Sequence, residues 1–140
     1  MNNETEYAIN EGGYKLFVNS FEKIRNRLGL NLKVHHADNL LEDGQIFLFN
    51  HFARFETIIP PFIIHRATGA FSRSIADHSL FEASDRFDKI LRGVGAVPNN
   101  LPGLLPFLAA EILRGRKVVI FPEGGMVKDR RVIDSDGGFG

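Results

Sequence analysis

The sequence predicts an α/β fold with a mainly parallel sheet flanked by helices. Three observations carry that expectation. QIFLF at 45–49 and KVVIF at 117–121 are short apolar runs bounded by charged or turn residues, the signature of strands buried on both faces. Other segments repeat apolar residues at three- and four-residue steps, which places them on one side of a helix. Strand-like and helix-like segments alternate along the chain, as βαβ units require.

Residues 1–12 are polar and are expected to be frayed or disordered. Over 14–28, Phe17, Phe21, Ile24 and Leu28 form one helical face, with Lys15, Glu22, Lys23, Arg25 and Arg27 elsewhere and Gly29 suited to the C-cap. A short strand is expected at 32–36, a turn at 38–44 and a buried strand at 45–49. Polar residues 50–55 follow. The apolar stretch 56–68 has Pro60 and Pro61 near its start, where the first turn of a helix tolerates them. A strand is expected at 70–76, weakened by Ser72, Arg73 and Ser74. Then come a helix over 80–91 with Phe81, Phe87, Ile90 and Leu91 as its apolar set, a short extended piece at 95–98, an apolar helix over 101–113, and the clearest strand at 117–121. After Pro122 the chain reads as charged loop, ending DSDGGFG with no closing element. The expectation is one domain over 1–140, the N-terminal portion of a unit incomplete at its C-terminus.

Composition narrows the function classes. Lys plus Arg and Asp plus Glu number 17 each, so net charge pulls the chain toward neither nucleic acid nor anionic lipid. The absence of cysteine removes disulfides, thiolate zinc sites and a Cys nucleophile. MNNETEYAIN has neither the basic nor the apolar region of a signal peptide. The longest uncharged run, 93–110, contains Pro98, Asn99, Asn100, Pro102, Gly103 and Pro106, which a membrane-spanning helix rarely combines. A cytoplasmic protein is expected.

Two segments concentrate chemistry-bearing residues, and each directly follows an expected strand. In a parallel sheet, loops at the carboxyl ends of strands are where active sites form. The first segment is Asn50-His51-Phe52-Ala53-Arg54-Phe55-Glu56. A carboxylate folded against an imidazole fixes its tautomer and stabilises the imidazolium. Alone, the pattern reads equally as a surface His and an acid at a helix start. The second is Phe121-Pro122-Glu123-Gly124-Gly125, whose glycines permit close backbone approach to a ligand. Alone, it is an ordinary strand-to-loop turn.

Together, in this order and about seventy residues apart, the two segments resemble the glycerol-3-phosphate and 1-acylglycerol-3-phosphate O-acyltransferase family. Its first block is His-x-x-x-x-Asp and its third Phe-Pro-Glu-Gly-Thr-Arg-Ser or close variants. Gly93-Val94-Gly95-Ala96-Val97-Pro98 resembles the second block, so the likeness runs over roughly 45–125.

The resemblance implies an O-acyltransferase of phospholipid biosynthesis or remodelling, with an acyltransferase-like α/β fold. His51 would act as general base on a hydroxyl of a glycerophosphate or lysophospholipid, oriented by Glu56. The hydroxyl oxygen would attack an acyl thioester of coenzyme A or acyl carrier protein. Glu123, Gly124 and Gly125 would shape the acceptor site; Arg54, inside the first block, would either contact the carrier's phosphate or equally pair with a surface acid. No metal or other cofactor is implied. A positioned imidazole contributes about a hundred- to ten-thousand-fold in such proton transfers, and a thioester is already activated.

The sequence departs from the family pattern at three places. Glu56 replaces the usual Asp, Asn99 and Asn100 stand where the second block carries Arg, and Gly125-Met126 replace Thr-Arg. Lys128, Arg130 and Arg131 would then supply the positive charge for the acceptor phosphate; as a bare run they read as a solvated basic loop. Two other functions fit the same residues: a lipid- or acyl-carrier-binding homologue without turnover, and a thioester hydrolase. No Gly-x-Ser-x-Gly elbow is present for a serine hydrolase. The family and the basic side of the first helix together imply peripheral contact with the inner face of a membrane. His35 and His36, adjacent in an expected strand, point to opposite faces and do not suit one metal ion. His65 and His78 read as structural or surface groups.

Overall fold

In the computed structural model, residues 3–33, 35, 44–49 and 59–122 are described. Four strands, β1 (Ile46–Leu48), β2 (Ser72–Ala76), β3 (Ala96–Pro98) and β4 (Lys117–Ile120), form one sheet in the order β1-β4-β2-β3. Every pairing in it is parallel, as the alternation of elements predicts. Lys117–Ile120 is inserted between β1 and β2, which is why its KVVI sequence is β-branched and buried over its first three residues.

The helices are α1 (Asn3–Glu6), α2 (Glu11–Arg27), α3 (Ile59–Thr68), α4 (Asp85–Gly93) and α5 (Leu104–Leu113). Helix α2 begins three residues before the expected position because the Asn10 side chain accepts from the Gly13 N–H at 2.9 Å and caps it. Its buried residues are Tyr14 and Val18, with Phe17 and Phe21 packed beside them. Ile24 and Leu28, expected on the core face, are instead 57% and 65% exposed. In α3, Pro60 and Pro61 occupy the first turn, where their missing N–H groups have no helical partner to lose. The expected helix over 80–91 is interrupted: a 3-10 turn at His78–Glu82 precedes α4, which starts where Ser84 Oγ accepts from the Phe87 N–H at 3.2 Å. Pro102 and the left-handed Gly103 delay α5 to Leu104. No strand forms at residues 32, 33 and 35.

Over β2, β3 and β4 the sheet is covered on both faces, whereas at β1, expected from sequence to be buried, Ile46 and Leu48 are 56% and 66% exposed. On one face, Tyr14 and Val18 of α2 and Phe62 of α3 form a core with Phe71 and Val94 against it. On the other, Phe107 and Leu108 of α5 join Tyr7, Val97, Leu101 and Val118. Strand β2 serves both, because successive side chains point to opposite faces. Ser72 Oγ lies 2.9 Å from the Tyr14 hydroxyl, while Arg73 Nε donates to Glu111 Oε2 of α5 at 2.6 Å. Arg73 and Glu111 are 2% and 3% exposed. Burial lowers the pKa of Arg73, and the Glu111 carboxylate opposes that shift.

Residues 3–10, read from sequence as a frayed lead-in, are docked. Tyr7 is buried in the α5 core and its carbonyl accepts from Arg73 Nη1 at 2.6 Å. Arg92 of α4 binds Glu6 at 2.8 Å and stands 4.5 Å from the Tyr7 ring centroid. Arg114 binds Glu4 at 2.8 Å, and Arg116 reaches Glu11 at 3.5 Å. Among the described residues, no helix is long and apolar enough to cross a membrane.

Candidate functional site at the carboxyl end of the sheet

The two motif-bearing strands are nearest neighbours. Ile46 pairs with Val118, Phe47 with Val119 and Leu48 with Ile120, all parallel. The Phe49 N–H continues the ladder to the Ile120 carbonyl at 3.0 Å. The Phe49 and Phe121 rings, one residue past the paired strands, have centroids 6.3 Å apart. The chain therefore leaves both strands at the same end of the sheet, on adjacent tracks. His51 lies three residues beyond Leu48 and Glu123 three residues beyond its register partner Ile120.

The candidate side chains themselves, His51, Arg54, Glu56, Glu123, Gly124, Gly125, Lys128 and Arg130, lie outside the described residues. The structure describes the strands that feed them.

The segment resembling the second block is described. Gly93 closes α4, and Gly95 adopts φ +90°. A Cβ at Gly95 would collide with the Ser72 carbonyl, so this position requires glycine for backbone approach as well as for φ. The Gly95 carbonyl accepts from the Ser74 N–H at 3.3 Å, starting the β2–β3 ladder. The second glycine thus sets the register of β3 on β2.

At the far end of that ladder stands a polar group that sequence reasoning set aside. Ala76 pairs with Pro98, and the Asn99 N–H donates to the Ala76 carbonyl at 2.8 Å. Asn99 Oδ1 accepts from the His78 N–H at 3.1 Å and lies 3.3 Å from His78 Nδ1. Asp77 accepts from the Ser79 N–H at 2.9 Å, and the hydrogen bonding at Ser79 holds its carboxyl below the usual range. His78 and Asn99 thus sit at the carboxyl end of the sheet, the end at which β1 and β4 also finish. The available signal was position: both directly follow strands of one parallel sheet. His65 belongs elsewhere. Its Nδ1 is 3.1 Å from the Ala70 carbonyl, and its ring stacks on Phe71.

Among the described residues, no three His, Asp or Glu side chains gather in a way that could hold a metal ion. No protein-family model, curated protein or solved structure matches this chain.

Proposed function

We propose that this chain carries the catalytic segments of an O-acyltransferase, moving a fatty acyl group from a coenzyme A or acyl carrier protein thioester to a glycerolipid-type hydroxyl. One observation supports the reading above others: the strands preceding the His51 and Glu123 segments are adjacent, parallel and in register. Segments far apart in sequence can act on one substrate only if they emerge together, and these do so at the end where parallel sheets present functional loops.

In this reading His51 takes the acceptor hydroxyl's proton as the oxygen bonds to the thioester carbonyl. Collapse of the tetrahedral adduct breaks the carbon–sulfur bond, and His51 returns the proton to the departing thiolate. Atoms and charge balance without a covalent acyl-enzyme. Glu56 orients the imidazole and favours its protonated form during transfer. Glu123, Gly124 and Gly125 line the acceptor side, with Lys128 and Arg130 against its phosphate and Arg54 toward the thioester carrier. Contact with a membrane surface would deliver the acceptor, and the cytoplasmic side would supply the thioester.

The test is thiol release from a long-chain acyl-CoA, with and without lysophosphatidate, in the wild type and in His51→Ala. Acceptor-dependent release that falls by about a hundred-fold or more in the variant is expected. Release that ignores the acceptor would instead mark a thioester hydrolase. Binding of acyl-CoA by folded protein without any release would mark a binding protein.

A further inference from the structure

Residues 65 and 66 lie in the last turn of α3 just before the chain turns into β2, so they stand at the opposite end of the sheet from the carboxyl ends of β1 and β4. There, between α2 and α3, an open polar groove is lined by Lys15, Val18, Asn19, His65 and Arg66, with Lys15, Asn19 and Arg66 exposed. Among the described residues its lining is one-signed: two cationic side chains, one ionisable ring and one amide beside Val18, with no carboxylate. Lys15 and Asn19 are four residues apart on α2 and project from the same side of that helix. His65 and Arg66 come from the last turn of α3. Basic residues in a last turn complement the helix dipole, but that accounts only for the α3 pair. It does not account for Lys15 and Asn19 facing the same groove from another helix.

Among the described residues, the acids of α2 are engaged by other cations, and the Arg66 guanidinium lies 6.0 Å from the Phe62 ring centroid. Glu22, the α2 acid whose pKa responds to Arg66, is bound to Arg25 at 2.7 Å. Glu11, one turn before Lys15, reaches Arg116 at 3.5 Å. By contrast, the carboxylate-bound arginines 73, 92 and 114 all sit in ion pairs of 2.6 to 2.8 Å. The Nδ1 of His65 can only donate to the Ala70 carbonyl, which fixes the tautomer of the neutral ring and leaves Nε2 outside that bond.

We propose that this groove binds a phosphate group of a small ligand, with Lys15 and Arg66 as the charged donors and Asn19 as a neutral one. Arg suits the planar, two-pronged recognition of a phosphate, and Lys adds a point charge. The proposal stands independently of acyl transfer, because its donors Lys15, Asn19 and Arg66 belong to neither motif segment.

The experiment is a titration of the isotope-labelled full chain with inorganic phosphate at low ionic strength, following the backbone amide signals of Lys15, Asn19 and Arg66. Saturable shifts at these three amides are expected. Lys15→Ala and Arg66→Ala should each weaken binding by about tenfold, the cost of one charge-assisted hydrogen-bonding partner. Arg66→Lys should lose less than Arg66→Ala. Lys89→Ala, a cation lining a different, apolar cleft, should change nothing. Thermal melts confirm that each variant is folded. Parallel arms with coenzyme A, glycerol 3-phosphate and phosphatidate-containing vesicles identify the phosphate's source by which one binds more tightly than inorganic phosphate through the same residues. Absence of shifts in the wild type, or equal phosphate affinity in the Lys15→Ala/Arg66→Ala double variant, would overturn the proposal.

Discussion

Where α2 and α3 cover the sheet, the buried contacts are rings and one hydroxyl pair; where α5 and the N-terminal segment cover it, they converge on a guanidinium. On the first face, Tyr14 packs edge-on against Phe71 at 5.0 Å and meets Ser72 through its hydroxyl. On the second, Arg73 binds Glu111, holds the Tyr7 carbonyl and lies 5.1 Å from the Phe107 ring centroid. Apolar contact is tolerant of small shifts, whereas a buried ion pair has one satisfactory geometry. The second face is therefore expected to fix how the N-terminal segment and α5 sit on β2, and the first to contribute mainly area.

The comparison can be broken most sharply at Arg73. Arg73→Met leaves Glu111 buried without its closest partner and releases the Tyr7 carbonyl. A loss of about 3 kcal/mol or more in urea unfolding is expected. Replacing Arg73 and Glu111 together by Met and Leu should cost less than Arg73→Met alone, because no charge is then stranded. Gly95→Ala comes next. It forces a Cβ against the Ser72 carbonyl at a left-handed φ, and a loss of about 2 kcal/mol is expected from the conformation before any backbone shift is counted.

Tyr14→Phe tests the aromatic face and should cost about 1–2 kcal/mol, since it strands a buried Ser72 hydroxyl while keeping the ring. The same residue sets a pH limit. Burial, the largest cause, raises the Tyr14 pKa above the ordinary value of 10.0, with the Ser72 hydrogen bonds opposing it. A folded pKa raised above the unfolded one means the contribution is fully present below pH about 10 and is lost as pH climbs through the folded value. Alkaline unfolding monitored above that pH should therefore be less steep in Tyr14→Phe than in the wild type.

Much of the sheet was legible in the sequence, because β-branched runs such as that of 117–120 have few alternatives. The parallel character followed from alternation with helices. Strand order did not follow: nothing local in 117–120 indicates insertion between β1 and β2. The strand expected at 70–76 is present as Ser72–Ala76, although Ser72 and Arg73 weaken it on their own terms. Their partners, Tyr14 and Glu111, lie 58 and 38 positions away, and only those contacts make a polar strand stable in a buried sheet. Helical periodicity was similarly incomplete. It marked α2 and α4 as amphipathic, yet Ile24 and Ile90 on their apolar sides are 57% and 59% exposed, because periodicity identifies a face and not what covers it.

The candidate site divides along the same line. Motif spacing singled out the segments after 45–49 and 117–121, and the register of β1 on β4 explains how such distant residues could serve one reaction. It did not single out His78 and Asn99, which share that end of the sheet, because their link is a tertiary hydrogen bond between two loops. Gly95, in the segment that resembles the family's second block, packs closely against β2.

If the His51 and Glu123 segments form one site, the losses from changing each are coupled. A double-mutant cycle on acceptor-dependent thiol release, comparing His51→Ala, Glu123→Gln and the two combined, tests that coupling most directly. Residues that act as a unit give non-additive losses, so the double variant is expected to be little worse than His51→Ala alone. Losses that multiply independently, or a Glu123→Gln variant with wild-type kcat and KM, would contradict a single site.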